Sequence, residues 1–160
     1  MTSIIENSQI ESVLSELKKE GKKLVFTNGC FDLLHVGHAR YLEKSKALGD
    51  LLIVGLNSDS SVKELKGESR PINNENDRAE LLASLKFVDY VVIFNELTAV
   101  EILKKVKPDI YTKGGDYNES EIQNWPEYPV AKEIGAQIIL IDFVKGKSST
   151  NLITKGGLSN

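Results

Sequence analysis

The chain has 160 residues, 41% of them apolar, with 20 lysines and arginines against 23 aspartates and glutamates. That length fits one domain with a core that needs no disulfide staples, and the single cysteine, Cys30, excludes an internal disulfide and fits a reducing, cytoplasmic setting. The mixed-sign net charge of −3 offers no broad nucleic-acid surface. The longest aliphatic run, residues 51–56, falls far short of the ~20 residues that span a bilayer, and the first residues lack a signal-peptide pattern, so no membrane association is expected.

Residues 1–20 read as an amphipathic helix, with Ile10, Val13, Leu14 and Leu17 at helical spacing and Gly21 as its stop. Leu24-Val25-Phe26 is the run of a buried strand. Residues 36–48 predict a helix carrying Tyr41, Leu42, Ser45 and Leu48 on one side, closed by Gly49. Residues 51–56 are a second strand, and the polar residues 60–71 a mobile loop with at most a short helix. A helix over 76–85 turns Ala79, Leu82 and Ala83 inward. Then come a strand at 90–94, a helix at 98–106 ended by Pro108, and a short strand at 110–112. A helix at 129–135 and a fifth strand at 137–143 follow, and residues 149–153 open a terminal helix capped by Ser148 or Ser149.

Short apolar strands alternating with helices predict an α/β fold: a Rossmann-like, doubly wound, five-stranded parallel sheet with helices on both faces. The whole chain, 1–160, reads as one domain with residues 1–21 as an extra helix. In such sheets ligands gather at the carboxyl ends of the strands, near a switch in strand order. Residues 28–38, 57–59, 113–117 and 145–150 are therefore expected on one rim.

The segment Thr27-Asn28-Gly29-Cys30-Phe31-Asp32-Leu33-Leu34-His35-Val36-Gly37-His38 contains both histidines of the chain. It has three readings: a plain loop, a metal site of Cys30, Asp32, His35 and His38, or a phosphate site. The ligand types suit zinc, but no further Cys or His lies elsewhere to close the shell. The phosphate reading fits best. A helix N-terminus favours anions, Gly29 and Gly37 allow close backbone approach, and two imidazoles can donate to phosphate oxygens. No G-x-G-x-x-G or Walker lysine motif is present.

His35-Val36-Gly37-His38 after an apolar strand resembles the H-x-G-H signature of a nucleotidyltransferase superfamily. With Asn57-Ser58-Asp59, Leu65-Lys66-Gly67, Arg70-Pro71, Lys113-Gly114-Gly115-Asp116-Tyr117 and Ser149-Thr150-Asn151, the string resembles the adenylyltransferase half of bacterial heptose-phosphate kinase/adenylyltransferases. The resemblance runs from about Lys23 onward and leaves out a kinase half. It implies adenylyl transfer from ATP, with Mg²⁺, to D-glycero-β-D-manno-heptose 1-phosphate, in the service of lipopolysaccharide or another surface glycan.

Such a reaction needs positioned donors more than a base, because the attacking phosphate is already ionised. His35, His38 and Lys66 are the expected catalytic groups. Asn28, Gly29, Cys30, Phe31, Asp32, Gly37, Lys113, Gly115, Ser148, Ser149 and Thr150 are expected around ATP, and Asn57, Asp59, Arg70, Arg78 and Asp116 around the sugar phosphate. Asp32 either orients a histidine or metal-bound water or caps a turn. Lys66 and Arg70 read as mobile cationic clamps. Arg78, at the start of a helix where a cation opposes the dipole, points either to phosphate or to a pairing with Asp77 or a neighbouring acid. Cys30 reads as packing, not as a nucleophile. Trp125 and Tyr128 either line the sugar pocket or pack their loop. In related glycerol-phosphate cytidylyltransferases a basic residue stands near the position of Phe143; Lys145 and Lys147 lie nearby here, and whether they compensate is open. A cytidylyltransferase for glycerol 3-phosphate, a non-catalytic nucleotide binder and a zinc interaction domain are the alternatives; a homodimer is compatible with the extra helix.

Overall fold

The computed structural model describes residues 3–142. Six parallel strands form one sheet: β1 (Ser3–Ile5), β2 (Leu24–Gly29), β3 (Leu51–Asn57), β4 (Tyr90–Phe94), β5 (Ile110–Gly114) and β6 (Gln137–Ile141), in the order β1-β4-β3-β2-β5-β6. The helices are α1 (Ile10–Lys19), α2 (Val36–Lys46), α3 (Asp59–Lys66), α4 (Glu75–Ala83), α5 (Val100–Val106), α6 (Glu119–Gln123) and α7 (Glu127–Ile134). The fold is the expected doubly wound α/β sheet, with two corrections.

The sheet has six strands instead of five. Ser3-Ile4-Ile5, expected to belong to a helix, pairs with Tyr90-Val91-Val92 as an edge strand. Three residues are too few to show a period of two, so only the pairing reveals them. The helix itself is shorter, and it is part of the fold's core: Ile10 and Leu14 are fully buried among Ile102, Leu103 and Val106 of α5. The second correction is α6, a five-residue helix in a stretch expected to be loop, whereas α3 is the short helix allowed for the polar segment 60–71. Helix α3 is polar because only Ser61 and Val62 face inward, and the Ser58 side chain caps it by accepting from the Ser61 N–H.

Strand alternation divides the core. Leu24, Phe26, Ile53, Val92, Phe94 and Tyr111 face α1, α5 and α7, whereas Val25, Leu52, Val54, Leu56, Val91 and Ile110 face α2 and α4. Central β2 lies between β3 and β5, so the crossovers diverge to opposite faces here and open a crevice at its carboxyl end. On the α2 face the crevice is underpinned by a buried hydroxyl cluster. Thr27 Oγ1 and Tyr41 Oη are 2.6 Å apart, Tyr41 Oη donates to Thr112 Oγ1 at 3.3 Å, and Ser45 Oγ lies 3.0 Å from that same atom. These bonds tie α2 to both strands that flank the crevice. The expected terminal helix at 149–153, the end of the fifth predicted strand at Phe143, Lys145, Lys147, and the anion-binding Ser148, Ser149 and Thr150 lie outside the described residues.

Candidate active site

The two histidines sit where β2 gives way to α2. His35 is the N-cap of α2, in extended conformation, and its Nδ1 accepts the Gly37 N–H at 3.1 Å. His38, three residues on, turns its Nδ1 back to accept the His35 N–H at 3.3 Å. The two imidazoles thus form a reciprocal capping box of the kind usually built from Ser/Thr and Glu/Gln. Their rings stack at 3.9 Å between centroids with 25° between planes.

This geometry fixes the tautomers. With each Nδ1 accepting a backbone amide, the proton of a neutral ring must sit on Nε2. His38 is kept neutral, since burial and the neighbouring His35 push its pKa down to about 4. At neutral pH His38 is therefore an Nε2–H donor on a ring held in place by its own helix. Phe31 meets the His38 ring edge-on at 5.3 Å, from a backbone with φ +45° that a bulky residue rarely adopts. Gly29 makes room for it, because a Cβ there would stand 3.0 Å from the Phe31 ring.

Asp32, expected beside the nucleotide, is only 1% exposed. It accepts from Arg70 Nε at 2.7 Å, the Ile72 N–H at 2.9 Å and the Asn73 N–H at 3.0 Å. Burial alone would raise its carboxyl, but the Asn73 and Ile72 amides and the Arg70 guanidinium outweigh that and hold it below the ordinary carboxylate range. Arg70 is correspondingly no mobile clamp; it is 3% exposed and anchored to Asp32. Its Nη2 has no hydrogen-bond partner among the described residues.

Arg78 is likewise part of the framework, at 1% exposure. It donates to the carbonyls of Asn73, Cys30 and Asn57 and to Asp59 Oδ1, so its acidic partner is Asp59 and not the adjacent Asp77. Direct contact between Arg78 and a substrate, one expectation from sequence, would require breaking this network. Its effect is to stitch the turn after β2 to the end of β3. Asn57 is buried, with Nδ2 donating to Ser61 Oγ. The Cys30 thiol is pushed up by burial against the pull of Lys66, Arg78 and Arg70, so it is not a thiolate nucleophile at neutral pH.

Lys66 is exposed at the end of α3, within electrostatic reach of Cys30. From the other side of the crevice, Lys113 and Gly115 follow along and after β5, and Asp116 is exposed beside them. Gly115 has φ +128° and carries the Tyr117 ring, which a Cβ would meet at 2.7 Å. Tyr111 Oη donates to Asn28 Oδ1 at 2.6 Å, which leaves the Asn28 NH₂ group as the donor available at the end of β2. The Asp32–Arg70 pair, the hydroxyl cluster and this Tyr111–Asn28 bond were not visible in the sequence, where their partners lie 14 to 83 positions apart. The one readable signal was that Tyr111 and Lys113 alternate onto one strand face. No group of three or more metal-ligating side chains occurs among the described residues, and the Asp32 carboxylate of the zinc reading is engaged by Arg70. No helix among the described residues is long and apolar enough to cross a membrane.

A doubly wound sheet with an imidazole-capped helix at its switch point defines a nucleotidyltransferase-type domain. The chain belongs to the cytidylyltransferase-like family, whose model matches residues 26–155. Within that class it is similar to the bifunctional protein HldE of a Nitratiruptor species, at 56% identity over 92% of this chain and 30% of that protein. The HldE protein of Aliarcobacter butzleri is 54% identical over 92% of this chain and 29% of its own. The chain thus spans about 30% of the length of these curated relatives. Among solved structures, a lipopolysaccharide core biosynthesis protein from Thermoplasma volcanium superposes with TM-score 0.64 at 33% identity, covering 79% of this chain and 100% of that one. A pantoate-beta-alanine ligase from Francisella tularensis shares the fold, with TM-score 0.66 at 17% identity over 97% of this chain and 78% of that one.

Proposed function

We propose that the chain transfers the adenylyl group of ATP to a sugar 1-phosphate, D-glycero-β-D-manno-heptose 1-phosphate, giving ADP-heptose and pyrophosphate. The observation that carries the chemistry is the stacked pair of capping imidazoles at the N-terminus of α2, beside the β2/β5 crevice. The choice of acceptor is supported by the HldE relatives and by the motif string along the rim.

A phosphate oxygen of the sugar attacks the α-phosphorus of ATP. The new P–O bond forms as the bond to the β-phosphate oxygen breaks, and pyrophosphate leaves with that electron pair. The attacking oxygen is already an anion, so the protein has to gather anions and stabilise the charge that builds on the phosphoryl and leaving oxygens. The neutral Nε2–H of His38 suits that role, because it donates a hydrogen bond without a competing proton equilibrium near pH 7. His38 makes the strongest transition-state contact, with His35 beside it, and the α2 dipole adds partial positive charge. Lys66 reaches the phosphates from α3, and Lys113 from β5. Asn28, Gly29, Cys30, Phe31 and Gly37 line the turn through backbone and amide donors, and Gly115 with Asp116 borders the nucleoside or sugar. Arg70 acts as a fixed donor through the part of its guanidinium that Asp32 does not engage. Asp32, Asn57, Asp59 and Arg78 act through the framework. Magnesium enters as the companion of the nucleotide, since Asp32 is taken up by Arg70, Ile72 and Asn73, and no step is routed through it. As an ATP-consuming step it belongs in the cytoplasm.

The test is a matrix of ATP and CTP against heptose 1-phosphate and glycerol 3-phosphate, read as pyrophosphate release. Turnover with ATP and heptose 1-phosphate is expected. Turnover confined to CTP and glycerol 3-phosphate would replace this reading with a cytidylyltransferase.

A further inference from the structure

On the face of β5 opposite the hydroxyl cluster, a lysine is held by aromatic rings. Strand alternation puts Tyr111 and Lys113 on the same face, and the Lys113 ammonium lies 5.8 Å from the Tyr111 ring centroid and 5.7 Å from that of Trp125. Both rings are themselves fixed. Tyr111 donates its hydroxyl to Asn28 and packs on Phe26 at 5.9 Å. Trp125 is anchored through its backbone N–H to the Ile122 carbonyl, and its ring meets Tyr117 edge-on at 5.0 Å and 87°.

The ammonium is half-buried yet makes no ion pair among the described residues. The acidic groups that act on it are Glu127 and Cys30. Glu127 Oε1 already accepts the Ala99 N–H at the start of α5, and burial keeps the Cys30 thiol protonated at neutral pH. An aromatic face attracts a cation without cancelling its charge. A carboxylate in the same place would neutralise it and compete with an incoming anion. The arrangement therefore holds a positive charge at the mouth of the crevice in a set position, with Glu127 acting on it from a distance and no carboxylate in direct contact among the described residues.

We propose that Trp125 and Tyr111 are positioning residues of the transfer reaction: their rings hold the Lys113 ammonium, free of a direct ion pair, at the β2/β5 crevice, where it meets a substrate phosphate. The proposal rests on the phosphate-transfer reading of the site and names two residues through which that site is built. The phosphate comes either from the nucleotide or from the acceptor, and the experiment separates them.

Trp125 is the chain's only tryptophan, so indole emission reports on this cradle alone. The protein is titrated separately with ATP and with heptose 1-phosphate. The ligand whose phosphate meets Lys113 should change the emission saturably, and Lys113→Met should remove that response. In steady-state kinetics Trp125→Leu should raise KM for the same ligand by roughly 3- to 30-fold, with a smaller effect on KM for the other substrate, and Trp125→Phe should recover most of the loss. Emission that stays flat with both ligands while pyrophosphate is released would overturn the cradle, as would a Trp125→Leu enzyme with both KM values unchanged. The titration needs no turnover. A Lys113-dependent response to ATP in a protein that does not act on heptose 1-phosphate would thus support the cradle and overturn the proposed acceptor.

Discussion

Replacing Asp32 by Asn is the sharpest test of how the site is held together. The carboxylate takes one bond from Arg70 Nε at 2.7 Å and two from the Ile72 and Asn73 amides at 2.9 and 3.0 Å, with Asp32 and Arg70 only 1% and 3% exposed. Asparagine has the same shape, but one oxygen becomes an NH₂ group facing donors, and the Arg70 charge is left buried without a counter-ion. Removing one member of a buried pair costs about 3–5 kcal/mol. For a domain of this size each kcal/mol moves Tm by roughly 2–4 °C, so the melting temperature should fall by roughly 6–20 °C. Thermal unfolding followed by circular dichroism measures this directly. Arg70→Met and the double variant complete a mutant cycle, in which the second change should cost much less once the first is made. A fall of less than about 2 °C, or strictly additive effects, would refute the argument that this pair anchors the loop between α3 and α4.

Three further outcomes follow from the site. His38→Ala should lower kcat by about 10²–10³ while the protein still melts cooperatively; turnover near that of the unaltered chain would remove His38 from the chemistry. Stability should fall on acidification in a window set by His38. Its folded pKa of about 4 lies below the ordinary histidine value near 6.5, so the unfolded chain binds the extra proton and folding weakens as pH drops from about 6.5 to about 4, by up to roughly 3 kcal/mol. Urea midpoints across that range check it, and a flat profile would contradict a buried neutral His38. Below that window the depressed Asp32 adds a second loss as its carboxyl is protonated. Finally, Lys66→Ala should raise KM for a phosphate substrate roughly tenfold with Tm unchanged, as loss of a charged contact at an exposed position implies; an unchanged KM would return Lys66 to the solvated surface.

Most of the sheet was legible because its strands are buried on both faces and read as apolar runs; the strand at Tyr90–Phe94 falls on the expected residues. What escaped was too short or too polar to carry a period, namely the three-residue edge strand β1 and the five-residue helix α6 with no buried residue. The histidine turn was legible for a different reason. Two imidazoles three residues apart at a strand-to-helix junction serve the helix as caps, so a local pattern is enough to place both rings at the end of β2. The arginines were not legible in the same way. Arg70 and Arg78 look like any cations of a polar segment, and only tertiary contact shows that Asp32 and a set of backbone carbonyls hold them. Lys113 belongs between these cases: its place on the rim follows from the strand, but the rings that hold it come from Tyr111 within the strand and from Trp125, twelve residues onward.

The most direct test of the account is the nitrogen spectrum of the imidazoles. The chain has only two histidines, so protein labelled with ¹⁵N-histidine shows His35 and His38 and nothing else. At pH 7 the His38 ring should be neutral with the proton on Nε2, and the Nε2 resonances of both histidines should move as ATP saturates the protein. Saturable ATP binding that leaves both resonances where they were would contradict the claim that this imidazole pair grips the polyphosphate.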